Sequence, residues 1–499
     1  MRKNVLQYLE NTVTTHPDKV AYMDPDTSYT FAQTYNLSRV AASALLSQGF
    51  TKEPVVVFMK KCPEQILAFY SAVYAGCFYV PIDEEMPKMR IQRINENLQP
   101  RIMICDETTI DKTDDLGFSG TKILWSEACS GTTDESALAK VRASQIDTDP
   151  VYIMYTSGST GIPKGVAVCH RSLIDYMESF CEVMRFDDST IFGNQTPLYF
   201  DASLKDVYPT IKCACTTIII PKQLFMFPVK LVEFLNEYKI NTVCWVVTAL
   251  VMISAFKVLD KQVPASLKLI GFGGEVFPVK QYNLWKKALP DARFINLYGP
   301  TEGTGVVLWH EADKIYEDDE KIPLGQAFDN VDILLLDEND KRADEGEICI
   351  RGTAVSLGYY NDLSRTSEAF VQNPLNSRFP EIIYRTGDIA RYNSDGVLEF
   401  VSRKDFQIKH MGHRVELGEI EANVNAQSGV ISSCAVYIKE KDRIELYYEG
   451  SCDSKDLGNA LKASLPRYMV PTKITKLDKM PLSNNGKIDR KYLTSLGQK

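Results

Sequence analysis

The chain has 499 residues, more than a single hydrophobic core accommodates, so we expect about two to four domains. It is 44% hydrophobic and 24% charged, as globular proteins are, and its formal net charge of -9 argues against a nucleic-acid binder with a basic face. The 5 histidines and 12 cysteines show no regular spacing, which argues against a structural zinc site and favours reduced thiols in the cytoplasm. No apolar run reaches the roughly eighteen residues of a membrane span.

Short apolar runs rich in β-branched residues predict buried strands, and apolar residues at helical spacing predict helices between them. The strands are expected at 53–59, 101–106, 215–220, 241–247, 267–273 and 292–299. Helices are expected at 64–75 and 229–238. This alternation of strands and helices predicts α/β layers built on mostly parallel sheets.

The pattern changes from about residue 332. The sequences VDILLLDEND (331–340) and GEICIRG (346–352) predict antiparallel strands around a turn. Residues 384–403 predict two further strands joined at residues 394–396. The remaining residues, 404–499, predict a separate small α+β domain.

A loop rich in glycine and hydroxyl side chains follows the apolar run 151–154 and has the sequence YTSGSTGIPKG (155–165). Backbone N–H groups, hydroxyls and the Lys164 ammonium together suit a phosphate. The loop is not a Walker A motif, because the fifth residue after Gly158 is Pro163 rather than glycine. A flexible surface linker is the alternative interpretation.

Two further turns carry single carboxylates. The turn NLYGPTEGT (296–304) contains Glu302, and a carboxylate beside a phosphate site commonly holds Mg²⁺. Its alternative is an exposed turn. The turn YRTGD (384–388) offers Asp388, which suits a ribose diol, with a cap or Asx-turn as the alternative.

These loops belong to a set of sequence blocks in a fixed order. The blocks are YAGCFYVPID, YTSGSTGIPKG, YFDAS, NLYGPTE, GEICIRG, YRTGD, RKDFQIKHMGHRVELGEIE, LPRYMVP and NGKIDRK. In them the chain resembles the adenylate-forming superfamily, which includes acyl-CoA synthetases, luciferases and the amino-acid adenylation domains of nonribosomal peptide synthesis. The resemblance covers essentially the whole chain and is to the amino-acid-activating branch, which includes D-alanine–carrier-protein ligases.

The resemblance implies a fold and a domain division. The large N-terminal domain, residues 1–403, is expected to be a multi-layer α/β structure, with mixed sheets flanked by helices and a small β-barrel-like subdomain. The small α+β C-terminal domain, residues 404–499, is expected to be mobile about a hinge at Lys404 and Asp405. That domain carries the lysine of the last block, Lys487.

The resemblance also implies two half-reactions, with ATP and Mg²⁺ as cofactors. A substrate carboxylate attacks the α-phosphate of ATP to give an acyl-adenylate and pyrophosphate, and a thiol then displaces AMP to form a thioester. An anion approaches a polyanion in the first step, so cations and hydrogen-bond donors must be fixed where charge develops.

Site residues follow from the resemblance by motif. The β- and γ-phosphates are assigned to Thr156, Ser157, Gly158, Ser159, Thr160 and Lys164. Adenine is assigned to Gly274, Glu275, Asn296 and Tyr298, and the ribose to Asp388 with Arg403 nearby. The catalytic set is Thr301, Glu302 and Lys487, of which Glu302 is the metal ligand. His170 follows the phosphate loop, and we expect it to be a helix-start residue without a chemical role.

The block YFDASLKDVYP (199–209) bears on the substrate. By resemblance, Asp201 pairs with the α-ammonium of an amino acid, and its alternative is a helix N-cap. The rest of the pocket, placed by motif register, comprises Ala202, Lys205, Trp245, Ile270, Phe272, Gly273, Leu297, Gly305 and Val306. The bulk of Trp245 and Phe272 suggests a small substrate side chain. Lys205 pairs either with an acidic substrate side chain or with Asp206 on a solvated face.

The acceptor and the branch remain open between several hypotheses. We expect a phosphopantetheinylated carrier protein acting in trans, with coenzyme A as the second choice, and neither nucleic acid nor a membrane span. The main hypothesis is an amino acid–carrier protein ligase. The alternatives are a D-alanine–carrier-protein ligase for cell-wall teichoic acid, an acyl- or aryl-CoA synthetase, and an inactive homologue with a binding role. The D-alanine ligases carry cysteine where Gly273 stands, and the smaller residue is expected to enlarge the pocket floor.

Overall fold

The structure, a computed structural model, describes residues 2–158, 161–482 and 488–498. Its strands are, in chain order, β1 (Val20–Met23), β2 (Ser28–Thr30), β3 (Pro54–Phe58), β4 (Phe78–Ile82), β5 (Ile102–Cys105), β6 (Thr121–Leu124), β7 (Pro150–Thr156), β8 (Lys164–Cys169), β9 (Ile191–Asn194), β10 (Thr216–Ile219), β11 (Thr242–Val246), β12 (Leu269–Gly273), β13 (Arg293–Tyr298), β14 (Leu308–Glu311), β15 (Gln326–Ala327), β16 (Val331–Leu336), β17 (Glu345–Gly352), β18 (Gly358–Tyr359), β19 (Phe370–Gln372), β20 (Ile382–Tyr392), β21 (Leu398–Arg403), β22 (Gln407–His410), β23 (His413–Glu416), β24 (Val430–Ile438), β25 (Arg443–Gly450) and β26 (Lys473–Leu477).

The α-helices are α1 (Gln7–Thr15), α2 (Phe31–Ser47), α3 (Pro63–Tyr74), α4 (Lys88–Leu98), α5 (Trp125–Ala128), α6 (Glu135–Ser144), α7 (His170–Met184), α8 (Leu204–Cys213), α9 (Pro228–Glu237), α10 (Val247–Ala255), α11 (Val279–Ala288), α12 (Leu363–Ala369), α13 (Leu417–Asn425), α14 (Ser454–Ser464) and α15 (Arg490–Gln498). Within the described residues, no helix is long and apolar enough to cross a membrane.

Two large mixed sheets form the N-terminal part. One has nine strands in the order β15-β14-β13-β12-β11-β9-β10-β1-β2, and the other has seven in the order β18-β8-β7-β4-β3-β5-β6. The central pairs of both sheets are parallel, whereas β2, β8, β14, β15 and β18 add antiparallel edges. All six strands and both helices predicted from apolar runs are present, as β3, β5, β10 to β13, α3 and α9.

Hydrophobic clusters show how the layers stack. The largest cluster holds buried residues of both large sheets together with those of α1, α2, α3, α7 and α8. A second cluster covers the other face of the nine-stranded sheet with α9, α10 and α11, and a third packs α4 on the seven-stranded sheet. The structure therefore has several α/β layers, and the predicted multi-layer fold is confirmed.

The predicted change of pattern after residue 332 is also confirmed. Strands β16 and β17 pair antiparallel, and so do β20 and β21, which the turn at Gly396 connects. Together with β19 they form a separate five-stranded sheet.

The residues after Arg403 have hydrophobic cores of their own. Strands β24, β25 and β26 form one sheet, which packs against α13 and α14 in one cluster and against α15 in another. The predicted α+β composition is therefore present. The boundary at residue 403 and the mobility of this part stay predictions.

Candidate active site

The phosphate loop connects two antiparallel strands, because Thr156 of β7 pairs with Lys164 of β8. A hairpin loop differs from the strand–loop–helix of a Walker A motif, in agreement with the sequence. A Cβ added at Gly158 would lie 2.1 Å from the carbonyl oxygen of Ile162, so the turn has no room for a side chain there. Two of the predicted phosphate ligands, Ser159 and Thr160, lie outside the described residues.

A carboxylate of the protein itself, that of Glu419, already binds to this loop. The N–H of Gly158 donates to the Glu419 carboxylate of α13 at 3.1 Å, and Arg90 of α4 pairs with the other oxygen of that carboxylate. The Ser157 hydroxyl donates to the carbonyl of Arg414 at 2.9 Å, while the buried hydroxyl of Thr156 has no partner among the described residues. The loop thus presents donors that suit a negatively charged group.

Glu302 lies at the centre of a buried charge cluster and is fully inaccessible to solvent. Its carboxylate is 3.3 Å from the Lys164 ammonium and 2.8 Å from the Arg414 guanidinium, and it accepts a hydrogen bond from the Tyr359 hydroxyl at 2.8 Å. Burial opposes ionisation, yet Arg414 and Lys164 hold the pKa of Glu302 well below its usual range. The alternative of an exposed turn is therefore wrong, and the group is a carboxylate at neutral pH.

Arg414 and Tyr359 are site residues that the sequence reasoning missed. Arg414 comes from β23 in the C-terminal part, and Tyr359 comes from the short strand β18, which pairs with β8 next to Lys164. A signal existed for Arg414, because it stands in the quoted block RKDFQIKHMGHRVELGEIE. Nothing in the local sequence around Tyr359 indicated that it would contact Glu302.

The residues assigned to the nucleoside come from β13, β20 and β21 and from the turn that follows β12. Asp388 is buried and accepts hydrogen bonds from the Tyr298 hydroxyl and from Arg403 Nη1, both at 2.5 Å. It is a mid-strand residue of β20, so the alternative of a cap or Asx-turn is wrong. Asn296 donates to the carbonyl of Pro323 at 2.7 Å.

Gly274 and Glu275 follow β12 directly. Gly274 has a φ of 82°, a left-handed conformation that favours glycine. Glu275 accepts from the Thr248 hydroxyl at 2.6 Å and from the N–H of Gly412 at 2.7 Å. Because Gly412 lies between β22 and β23, this contact is a second point where the C-terminal part meets the nucleoside region.

Asp201 occupies a 3₁₀ turn, Asp201–Ser203, that runs directly into α8. Neither element has a side-chain cap, so the alternative of a helix N-cap is wrong. Burial raises the pKa of Asp201, and the neighbouring hydroxyl of Thr301 opposes the rise. Within the described residues, no cation lies within ion-pair distance of this carboxylate.

The structure brings only part of the predicted pocket together with Asp201. Leu297 faces the α7–α8 layer, and a Cβ at Gly305 would lie 3.3 Å from the ring of Tyr176 on α7. Lys205 is buried on the first turn of α8 and forms no ion pair with Asp206, one oxygen of which accepts from Asn194 at 2.8 Å. The expected solvated Lys205–Asp206 pair is therefore absent from the described residues.

Trp245 and Phe272 lie on the opposite face of the nine-stranded sheet. The Trp245 indole donates to the carbonyl of Gly193 at 2.7 Å and packs with Phe272 in the α9–α11 layer. Successive side chains of a strand point to opposite faces, so Cys244 faces the α7–α8 layer and its neighbour Trp245 does not. The prediction that these rings limit the substrate side chain is wrong, and Ile270 lies in the same layer.

Gly273 does not enlarge the pocket floor as expected. A Cβ at this position would lie 2.1 Å from the carbonyl oxygen of Leu297 on the neighbouring strand. The backbone of β13 already fills the space of the missing side chain. The glycine therefore permits a close approach of two strands and carries no information about substrate size.

His170 is a structural residue. It is buried, and its Nδ1 accepts a hydrogen bond from the N–H of Val5 at 3.2 Å, which ties the N-terminal segment to α7. Burial lowers the pKa of His170 to about 3. The favoured interpretation, a residue without chemical role, agrees with this placement. Lys487, the predicted catalytic lysine, lies outside the described residues.

The residues around Glu302 fit a magnesium ion that is also bound by nucleotide. Mg²⁺ is commonly held by one or two carboxylates plus substrate phosphates, and Glu302 supplies one carboxylate beside the phosphate loop. In this structure the same carboxylate is engaged by Arg414 and Lys164. A metal ligand role for Glu302 therefore requires that Arg414 withdraws.

Comparison with known proteins agrees with the site. A family model described as AMP-binding enzyme matches residues 9–360. Tyrocidine synthase 1 of Brevibacillus parabrevis is 31% identical over 502 residues, which cover 98% of this chain and 45% of that protein. D-alanine–D-alanyl carrier protein ligase of Bacillus licheniformis is 29% identical over 520 residues, which cover 98% of each. The chain spans less than half the length of the peptide synthetases it matches.

Solved structures share the fold. The Vibrio cholerae adenylation domain AlmE, solved with glycyl-adenosine-5'-phosphate, superposes with a TM-score of 0.85 at 21% identity, covering 100% of this chain and 98% of that one. Holo-PA1221, a protein containing adenylation and PCP domains, gives a TM-score of 0.83 at 23% identity, covering 98% and 84%. The chain therefore belongs to the AMP-binding enzyme family, and the prediction of an adenylate-forming ligase is confirmed at the level of the family.

Proposed function

We propose that this chain activates an amino acid as its aminoacyl-adenylate and transfers it to the phosphopantetheine thiol of a carrier protein acting in trans. The observation that carries the proposal is the carboxylate of Asp201, which no described cation pairs and which lies beside Thr301. A partly buried carboxylate that has a hydroxyl but no cation in ion-pair contact is stabilised by a cationic ligand, so we expect one there. The α-ammonium of an amino acid supplies that cation and directs its carboxylate toward Thr301 and Glu302.

In the proposed first step, the phosphate loop holds the β- and γ-phosphates that leave together. The Gly158 N–H already binds a carboxylate, which supports its use as an anion site. The Lys164 ammonium lies at the end of the same loop, where it would offset the charge of the leaving pyrophosphate. The hydroxyl of Thr156 has no partner among the described residues and would be available to a phosphate oxygen.

Glu302 would hold Mg²⁺ at this site. When bound, the ion would offset phosphate charge at the α-phosphate during attack by the substrate carboxylate. The protein's own part is to keep Glu302 ionised, and after Arg414 withdraws Lys164 still lowers the pKa of its carboxylate. Thr301, on the same 3₁₀ turn, orients toward Asp201 and would position the reacting carboxylate.

Asp388 would bind the ribose hydroxyls of the nucleotide. Tyr298 and Arg403 hold its two oxygens, which fixes the carboxylate in one orientation before the nucleotide arrives. Gly274, Glu275 and Asn296 would line the adenine. Such preorganisation lowers the entropic cost of positioning ATP for in-line attack.

A thiol acceptor on a carrier protein has support from the relatives. One relative is named as a ligase for a D-alanyl carrier protein, and one similar structure contains a PCP domain beside its adenylation domain. Those properties belong to those proteins and motivate the proposal here. Coenzyme A remains the competing acceptor.

The proposed function is tested by ATP–pyrophosphate exchange with a panel of L- and D-amino acids and of simple carboxylic acids that lack an amino group. We expect exchange with one or a few amino acids, and Asp201→Ala should lower it about 100-fold or more because the ammonium loses its partner. Exchange with a simple acid that Asp201→Ala leaves unchanged would instead indicate an acyl- or aryl-CoA synthetase. Absence of exchange with every amino acid would refute the proposal.

A further inference from the structure

The hydrophobic cluster that α7 and α8 form with the two large sheets borders three hydrogen-bond donors that have no partner among the described residues. The Lys205 ammonium forms neither a hydrogen bond nor an ion pair with any described residue, although the residue is only 7% exposed. The hydroxyls of Tyr152 and Tyr176 likewise have no partner in the described part of the chain. Their residues are 0% and 4% exposed, so water contact is minimal.

These donors surround the proposed ammonium site. The charge of Asp201 acts on the Tyr152 and Tyr176 hydroxyls, whose pKa values burial raises above the usual range. The Lys205 ammonium lies near Asp201 and near the Cys244 thiol. Burial raises the pKa of both groups, and the charge of Lys205 opposes that rise. A Cβ at Gly305 would lie 3.8 Å from the Tyr176 hydroxyl, so this donor borders the predicted pocket.

The expected protein partner of Lys205, Asp206, forms no ion pair with it. One oxygen of Asp206 accepts from Asn194, and the other has no partner among the described residues. The Lys205 charge acts on this buried carboxylate without forming an ion pair with it. A buried ammonium without a partner is costly, as are buried hydroxyls without partners. Three such donors lie near Asp201, whose carboxylate would bind an ammonium. Together they suit a ligand that has both an ammonium and an additional anionic group.

We propose that the amino acid has an acidic side chain, of the aspartate or glutamate class, whose carboxylate binds Lys205 and the hydroxyls of Tyr152 and Tyr176. This inference rests on the proposed function, because it assigns Asp201 to the α-ammonium of the same substrate. The α-carboxylate then points away from Lys205, toward Thr301 and the nucleotide. A neutral amide side chain would leave the Lys205 ammonium without an ion pair, so we expect amides to be poor substrates.

The test compares pyrophosphate exchange for each acid with that for its amide: glutamate with glutamine and aspartate with asparagine, in both L and D forms. We expect kcat/KM for the preferred acid to exceed that for its amide by about 100-fold or more. Lys205→Met should lower the value for the acid about 100-fold through the KM for the amino acid, and leave the value for the amide and the KM for ATP nearly unchanged. Lys212→Met is the matched control, because Lys212 lies on the same helix and pairs with Glu178 at 2.7 Å away from the pocket.

Tyr176→Phe provides a second variant, since it removes one hydroxyl and leaves the buried ring in place. We expect about a tenfold loss with the acid and little change with the amide. A preference for a neutral amino acid, or an acid preference that survives both Lys205→Met and Tyr176→Phe, would overturn the inference and leave the proposed function standing. Absence of exchange with all amino acids would refute the proposed function itself.

Discussion

The carboxylate of Glu302 connects the phosphate loop, strand β18 and the C-terminal part of the chain through Lys164, Tyr359 and Arg414. Glu302→Gln keeps the shape of the side chain and removes the negative charge that offsets Lys164 and Arg414. We predict that pyrophosphate exchange falls about 100-fold or more and that the Mg²⁺ concentration for half-maximal exchange rises. Glu311→Gln, which breaks a partly exposed pair with Arg293, is the control and should change neither quantity.

His170 makes stability depend on pH. The unfolded histidine binds a proton below its usual pKa of 6.5, whereas the folded residue stays neutral down to about 3. The folded state therefore loses stability as pH falls from 6.5 toward 3, by about 1.4 kcal/mol per pH unit. We predict that His170→Gln reduces the fall in unfolding free energy between pH 6.5 and pH 5 by about 2 kcal/mol, as measured by urea denaturation. An identical pH dependence in the two proteins would contradict this account.

Single residues of the site were predictable only where a motif names them. Glu302, Asp388 and Asp201 stand in recognisable blocks, and the structure gives each a buried or partly buried setting. Tyr152 and Tyr176 were missed because their importance depends on unfilled hydrogen-bonding capacity, which only packing reveals. Trp245 and Phe272 were misplaced because a motif register fixes the strand but a shift of one residue reverses the face.

At the scale of elements, the hairpin that carries the phosphate loop depends on glycine. We predict that Gly158→Ala raises the KM for ATP about tenfold or more, because its Cβ would meet the Ile162 carbonyl and displace the loop. Gly131→Ala is the matched control, since a Cβ at that position meets nothing within 4 Å. The kinetic constants of the two variants measure the effect, and equal KM values would contradict the proposed role of the loop.

Strands were the most predictable elements. Buried parallel strands are continuous apolar runs, and β11, β12 and β13 match the predicted segments within two residues at each end. The sheet order was not predictable from such runs, because it depends on long-range pairing such as that of β1 with β10. For the same reason the sequence did not show that β18 brings Tyr359 beside Lys164.

At the scale of the whole molecule, the C-terminal part contacts the loop that we propose binds phosphate. Glu419 accepts from the Gly158 N–H and Arg414 pairs with Glu302. If the loop binds the β- and γ-phosphates of ATP as proposed, those phosphates and this arrangement would exclude each other. We infer that the arrangement belongs to the thiol-transfer step, after pyrophosphate has left, and that the predicted lysine, Lys487, acts in another arrangement.

Two variants test this inference. Arg414→Ala should slow aminoacyl transfer from preformed adenylate to a thiol about tenfold or more, because it removes the pair with Glu302, and should leave pyrophosphate exchange within a few-fold of wild type. Lys487→Ala should do the reverse and nearly abolish exchange. Single-turnover transfer and exchange assays on both variants make the comparison, and equal losses in both steps would contradict the two arrangements.

The central claim is that the chain forms an adenylate of an amino acid. Mass spectrometry of the products after incubation with MgATP and the substrate preferred in the exchange panel tests it most directly. The account predicts an aminoacyl-adenylate with wild type, and none with Asp201→Ala or with the same acid lacking its amino group. An adenylate that forms equally well from the acid without the amino group would contradict the account.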